Sequence, residues 1–548
     1  MGPALIEYAH LDGARRKEEG KRPDGGGPTE MGEEEVVVVA VDSSPLTKAR
    51  VSKLQVSHPV SSLQVAPQGL PAQARSMAPS FQPTPNLVPL SLSISLFLAM
   101  TPTSGASLNS RRYTNRISLF LFLLHLLAAG AAISFFIFKA VMGIVEAEGP
   151  HRRRERHVLS FWLPPVEGAA VLSILLAFAW QKAVRAYPTL LTVRLIVWSS
   201  AAATLAAGIL LLCFSMPTTD GAGLVLIIFS VGVGLYACWV TRRMPFAARV
   251  LARSLQPAEA KFRTLNRPSY AMMLAGAVWI TLWCFAVIGA LNFYYPPLTI
   301  LALILSLMWT AEVMRNVANL TMSRAVALYY LRGMQSDVSY CFQRAATVNL
   351  GGACLGSLFV PAIEFCRIIA RALNLLEGED EFLFSCAHCC LHVMEAVFRY
   401  GNSWAYVHIA AYGSGFVEAS QSTWGLFERS RMEALVDADI TSAICFLTGV
   451  ASGSLCVIFA ASWTYSGHRH YTATVSLLAF FVGYLMTRIG MALPQACVGC
   501  YYVCYAENPT SRFFLNDSTI ADRLDQIRNG REATGFTPRL PRRYTPSV

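Results

Sequence analysis

Between residues 117 and 494 the chain holds ten runs of about 20 mostly apolar residues. A helix of that length, rising 1.5 Å per residue, crosses about 30 Å of hydrocarbon. The runs cover 117–145, 161–181, 195–216, 222–241, 270–291, 298–322, 346–370, 387–411, 440–463 and 472–494. In hydrocarbon a segment must satisfy its own backbone N–H and C=O groups, so repeated runs of this kind dictate a helical bundle. Only 14% of the 548 residues are charged, against roughly 25% in an ordinary soluble domain. The expected fold is therefore an all-α polytopic membrane protein of about ten transmembrane helices. The eighth run is the most polar, carrying His388, His392, Glu395, Arg399 and His408.

Flanking segments differ in kind. Residues 1–112 include GARRKEEGKRPDGGGPTEMGEEE and a Ser-, Pro- and Gln-rich stretch without helical or strand period, which reads as a disordered cytosolic tail. Its one apolar patch, from Val88, is too short to span. A cleavable signal is not expected, because the tail ahead of the first run is too long for one. Residues 113–505 form the expected transmembrane domain, and 506–548 a cytosolic, disordered C-terminal tail. Arginine and lysine collect in alternate loops, at 182–194, 242–267 and 324–344, while the loops around Pro217 and Pro296 carry none. That asymmetry places both termini in the cytosol. The stretch HRRRERH at His151, in an expected loop at 146–160, opposes it.

An ionisable group at membrane depth is costly and tends to face a cavity or a partner. Three pairs have helical spacing: Glu312 with Arg315, Glu364 with Arg367, and Glu395 with Arg399. Trp309, Glu312, Asn316 and Asn319 share one face of the sixth run. Each pair reads either as a salt bridge inside the bundle or as part of a site, with Glu312 and Glu364 the candidates for titration. Trp309, Tyr329, Tyr330, Trp404, Tyr406 and Tyr412 supply rings near the sixth and eighth runs. Such rings bind quaternary ammonium at about 0.5 to 2 kcal/mol each, or sit at the interface as belt residues. Gly351, Gly352 and Gly356, with Ala353 and Ser357, bare the backbone of the seventh run. Close helix packing needs that, and so does a helix that slides or unwinds beside a substrate path.

Fourteen cysteines lie mostly within the runs. Cys386, Cys389 and Cys390 beside His388 and His392, and Cys497, Cys500 and Cys504, lack a second ligand pair at zinc spacing, so packing or palmitoylation is expected rather than a metal. The sequon at Asn319 falls at the end of a run on the cytosolic side, where it would not be used. There is no nucleophile elbow, HExxH or Walker loop, so enzyme chemistry, cofactors and nucleic-acid binding are not expected.

Three ordered blocks resemble the choline transporter-like family (solute carrier 44 type). They are MWTAEVMRNVANLTMSRAVALYY at 308–330, RAATVNLGGACLGSLFVPAIEFCRIIAR at 344–371 and CAHCCLHVMEAVFRYGNSWAYVHIAAYGSGF at 386–416. The short 146–160 loop sits nearer the family's pH-nine-sensitive branch. The family's Asp after the tenth span is missing from PQACVGCYYVCYAENP, so coupling through that residue does not transfer. The resemblance implies ten helices with both ends in the cytosol, most often at the plasma membrane, carrying choline and in some members ethanolamine, with a link to proton exchange. The first reading is a carrier of choline or a related small cationic amine working by alternating access, with the residues singled out above, Trp309, Glu312, Asn316, Tyr329, Tyr330, Trp404 and Tyr406, as candidate substrate contacts. The competing reading is a non-transporting scaffold or lipid-regulating protein, whose basic 242–267 loop holds anionic headgroups.

Overall fold

The structure, a computed structural model, describes residues 113–146, 150–260, 264–290, 295–376, 381–467 and 469–529. The expected N-terminal tail at 1–112 and the C-terminal stretch from 530 lie outside them. Seventeen α-helices occupy the described residues. The first six are α1 (Arg116–Glu146), α2 (Pro150–Ala186), α3 (Leu190–Cys213), α4 (Pro217–Val240), α5 (Met244–Ala260) and α6 (Arg267–Ala290). Then follow α7 (Pro296–Arg332), α8 (Val338–Ala346), α9 (Leu350–Leu376), α10 (Glu381–Phe398), α11 (Ala405–Tyr412) and α12 (Phe416–Ser430). The last are α13 (Glu433–Asp437), α14 (Thr441–Gly467), α15 (Thr472–Gly490), α16 (Ala492–Glu507) and α17 (Thr519–Arg528).

Nine helices among the described residues are long and apolar enough to cross a membrane. The eighth expected run is not one helix: α10 stops at Phe398 and α11 starts at Ala405. The expected loop at 146–160 is largely helix too, because α2 begins at Pro150, and proline at a first helical position forfeits no hydrogen bond. Nor is the C-terminal side of residue 506 all tail. α17 packs Ile520 and Leu524 inward, an apolar pair at i,i+4 within TIADRLDQIR.

Burial separates inner from outer helices. Most of the apolar stretch at Glu433–Gly467, which holds α13 and α14, is buried, whereas most of α1 and α4 is not; their Leu121, Leu124, Leu224 and Ile228 are exposed and suit lipid. The α3–α4 hairpin crosses where Gly208 and Gly223 face each other's carbonyls, so that a Cβ on either would collide with backbone. Lipid tails are as apolar as leucine, so helices gain from this close approach rather than from burial as such. The α14–α15 pair does the same at Gly453 and Gly483.

Candidate functional site

Three of the inner helical paths break, and the breaks face one another. The first lies between α10 and α11. Backbone groups freed there cannot go to lipid, and the fully buried Asn402 collects them. Its Nδ2 donates to the carbonyls of Phe398 (3.4 Å) and Ser420 (3.2 Å), and its Oδ1 accepts from the Ala405 amide (3.2 Å). The second precedes α14, where the Asp439 carboxylate accepts from the Thr441 amide and hydroxyl, both at 3.0 Å, and from the Tyr502 hydroxyl at 3.3 Å. The third is the joint at Met491 between α15 and α16, followed by Pro494. In α9, Pro361 removes the amide that would meet the Ser357 carbonyl.

Between these breaks lies a charged layer. Glu312 and Arg315 are in direct contact one turn apart on α7, and the other Glu312 oxygen is 3.5 Å from Arg488 on α15. Arg315 also donates to the Gln495 side-chain carbonyl at 2.9 Å. Glu364 on α9 faces the Ser403 hydroxyl and lies within electrostatic range of Arg315, Arg488 and Glu312. Two carboxylates thus balance two guanidinium groups, which is what lets four such groups sit together out of water. Asn316, one turn beyond Glu312, donates to Ser357 (2.8 Å) and to the Tyr406 hydroxyl (2.9 Å). Gly356 makes room for that hydroxyl: a Cβ there would overlap it and the Phe416 ring. Gly351 lies against the Thr114 carbonyl and Gly352 against Ile409, so this bare surface meets both the start of α1 and α11.

Beside the layer is a small cavity lined by Asn319, Ser403, Trp404, Tyr406, Asp439 and Gln495 among others. At about 20 Å³ it holds about one water. The Trp404 ring is fixed edge-on against Phe427 and Tyr502, with centroids at 5.8 and 5.6 Å. Asp439 is hydrogen-bonded, but among the described residues it forms no ion pair.

Of the residues singled out from sequence, Glu312, Asn316, Glu364, Trp404 and Tyr406 meet here. Trp309 does not: its indole donates to the Cys354 carbonyl at 3.4 Å and its ring packs on Phe122 and His125. Tyr329 and Tyr330 lie about 25 Å from Glu312 along α7, at 1.5 Å per residue, against Phe513 and Phe514. Two expected ion pairs are exchanged for others. Arg367 holds both oxygens of Glu395 (3.0 and 2.7 Å) and also Asp437 (2.9 Å), not Glu364. Because α10 ends before residue 399, the i,i+4 geometry lapses, and Arg399 reaches Glu428 at 3.1 Å. Asn319 is buried and accepts from Ser323. Cys497, Cys500 and Cys504 are buried, and no group of three potential metal ligands occurs among the described residues. The side chains of Cys386 and His388 lie outside these.

Four contributors were not anticipated. Arg488 is the one charge in the tenth apolar run, and the same cost argument applied to Glu312 would have flagged it. Asp439, two residues before Thr441, has the spacing of a helix cap. Ser403 and Gln495 carry no such signal.

The geometry can be set beside known proteins. The family model for the plasma-membrane choline transporter matches residues 224–510, which include every member of the charged layer. Protein PNS1 of Mycosarcoma maydis is 26% identical over 216 residues, 37% of this chain and 41% of that one. Protein PNS1 of Cryptococcus neoformans is 26% identical over 388 residues, 62% of this chain and 67% of that one. A CTL-like protein of Dictyostelium discoideum is 22% identical over 302 residues, 52% of this chain and 53% of that one. The matched stretch thus spans about two fifths of the first relative's length and two thirds of the second's.

Proposed function

The chain belongs to the choline transporter family, and from that premise we propose that it carries choline or a related small cationic amine, ethanolamine included, across a membrane by alternating access. The observation that supports this most is the cavity beside the charged layer. Trp404 and Tyr406 offer ring faces, and Asp439 offers a carboxylate that no arginine or lysine among the described residues neutralises. A quaternary ammonium ion needs both: aromatic faces give about 0.5 to 2 kcal/mol each, and a nearby anion sets the sign of the charge. Discontinuous helices meeting in mid-bundle are how many carriers build such a site. A cavity with room for one water corresponds to a closed conformation, from which parting of α11 and α14 opens the path to either side. Two rings and a carboxylate make a modest grip, which suits a carrier that must also release.

Entry of a monovalent cation is favoured by about 2.3 kcal/mol per 100 mV, roughly a 50-fold gradient, so ion coupling is not required. Proton exchange, where it operates, falls to Glu364 or Glu312. The reading further places the protein in the plasma membrane with both termini in the cytosol. The test is uptake of labelled choline into proteoliposomes holding the purified chain, with unlabelled choline and ethanolamine as competitors. Saturable uptake that is competed, and is lost in Asp439→Asn while the variant remains folded, supports the carrier. Absence of uptake by folded wild-type protein removes it and brings forward the scaffold reading.

A further inference from the structure

The two tyrosines that the central site does not use line a second, larger cavity. It measures about 230 Å³ and is lined by Arg253, Gln256, Pro257, Tyr329, Tyr330, Tyr501, Phe513 and Asp517. Its walls come from α5, α7, α16 and the segment after α16. That segment turns back under the bundle: Phe513 lies 4.8 Å from Tyr329, and Phe514 stacks on Tyr330 at 5.3 Å. Asp517 is anchored from behind by the Tyr501 hydroxyl (2.8 Å) and by the Thr519 amide and hydroxyl (3.1 and 2.6 Å).

We propose that this cavity is a second station for the same small ammonium cation, at the end of the bundle that the arginine distribution assigns to the cytosol, where the ion pauses before release. The proposal rests on the carrier reading of the central site. Several observations point to a cation rather than to a packing gap. Four of the eight lining residues are aromatic, and Phe513 already carries the Arg512 guanidinium at 4.9 Å, so a positive charge is at home against this ring. Among the described residues the one ion pair of Asp517 is with Arg253, and it is loose. The arginine Nε is 3.7 Å away, beyond hydrogen-bond range, and its side chain is 47% exposed. Arg253 can therefore swing into water and leave Asp517 to the entering ion while the Tyr501 and Thr519 donors keep the carboxylate in place. Pro257 also lacks the amide that would meet the Arg253 carbonyl, which adds an acceptor beside the cavity. In size the cavity exceeds the central one by an order of magnitude, as expected if the central site is closed and the vestibule is not.

The test uses Gln256→Cys in the full chain, reconstituted in lipid nanodiscs. Gln256 lines the cavity, is exposed, and belongs to neither set of rings. The rate at which a charged maleimide alkylates the introduced thiol is read by peptide mass spectrometry, with tetramethylammonium or choline as protectant and sodium as control. The expected result is saturable, severalfold protection by the ammonium ions, absent with sodium. It should be lost when Tyr329→Ala and Phe513→Ala are added, weakened by Asp517→Asn, and kept when Trp404→Ala empties the central site. Lack of protection, or protection that survives loss of the two rings, overturns the second station. So does protection that vanishes with Trp404→Ala, since the thiol would then be reporting a distant conformational change. If wild-type protein shows protection but no uptake, the carrier reading fails while the cation cavity stands; uptake without protection is the converse.

Discussion

The α3–α4 hairpin and the layer of broken helices bury similar polar side chains and use them differently. In the hairpin each helix is continuous and satisfies its own backbone, so the polar groups are accessories. Ser230 donates to the Ala201 carbonyl at 2.8 Å, and Thr204 reaches Ser454 at 3.0 Å. In the layer the backbone is interrupted, and Asn402 and Asp439 take the place of missing helical partners. Interrupting a helix in a membrane frees side chains and carbonyls to face a common space, at the cost of demanding a specific residue at each break. The hairpin therefore depends on size, through Gly208 and Gly223, while the layer depends on chemistry.

Glu312 gives the sharpest test of that difference. Replacement by Ala takes from the Arg315 and Arg488 guanidinium groups, whose side chains are only 7% and 13% exposed, their ion-pair partner and leaves Glu364 as the one carboxylate facing both. Breaking a buried pair from one side costs about 3 to 5 kcal/mol, so Glu312→Ala should unfold at markedly lower temperature in detergent and lose uptake per folded molecule. Wild-type thermal stability in this variant would mean that water reaches the layer, and would erase its contrast with the hairpin.

Asn402→Ala should cost less, about 1 to 3 kcal/mol for the net loss of one satisfied polar group. The Phe398 carbonyl keeps the Gly401 amide, and the Ala405 amide keeps the Asn402 backbone carbonyl, so part of the break remains capped. Uptake should fall more steeply than stability, because the loop carrying Ser403 and Trp404 is what loses its anchor. Equal falls in both would make Asn402 a purely structural cap.

How much of this was legible in the sequence follows from the same physics. Apolar run length is a local property, and nine runs became helices able to span. The eighth failed because its middle, RYGNSW at 399–404, is polar and carries Gly401 and Asn402, a break that run-counting smooths over. Glu312, Asn316 and Glu364 were legible because charge and amide groups at membrane depth need a reason wherever they occur. Tyr329 and Tyr330 lie away from Glu312 because helical periodicity fixes a face but not a depth, and about five turns of α7 separate them. The exchange of partners by Arg367 was beyond reach, since it depends on how α9, α10 and α13 meet. Phe513 and Phe514 looked like tail residues because nothing local shows that a segment folds back.

Gly356→Ala tests the layer from the packing side. The added methyl would overlap the Tyr406 hydroxyl and Phe416, an overpacking cost of about 1 to 3 kcal/mol. It should fall toward the lower end, because Tyr406 can yield by giving up Asn316. The expected signature is reduced apparent affinity for choline with near-normal protein yield. Unchanged affinity would detach Tyr406 from the substrate.

The smallest effect is expected in the hairpin, and the contrast between the two regions depends on its being small. Ser230→Ala deletes one interhelical hydrogen bond but strands nothing, since the Ala201 carbonyl lies within a continuous helix and keeps its own i+4 amide. Interhelical hydrogen bonds of this kind are worth about 0.6 kcal/mol in membrane proteins, so the variant should unfold within a degree or two of wild type and transport choline unchanged. A loss as large as that in Asn402→Ala would show that polar side chains count equally wherever they are buried in this bundle. The distinction between continuous and broken helices would then have to be replaced by one of burial alone.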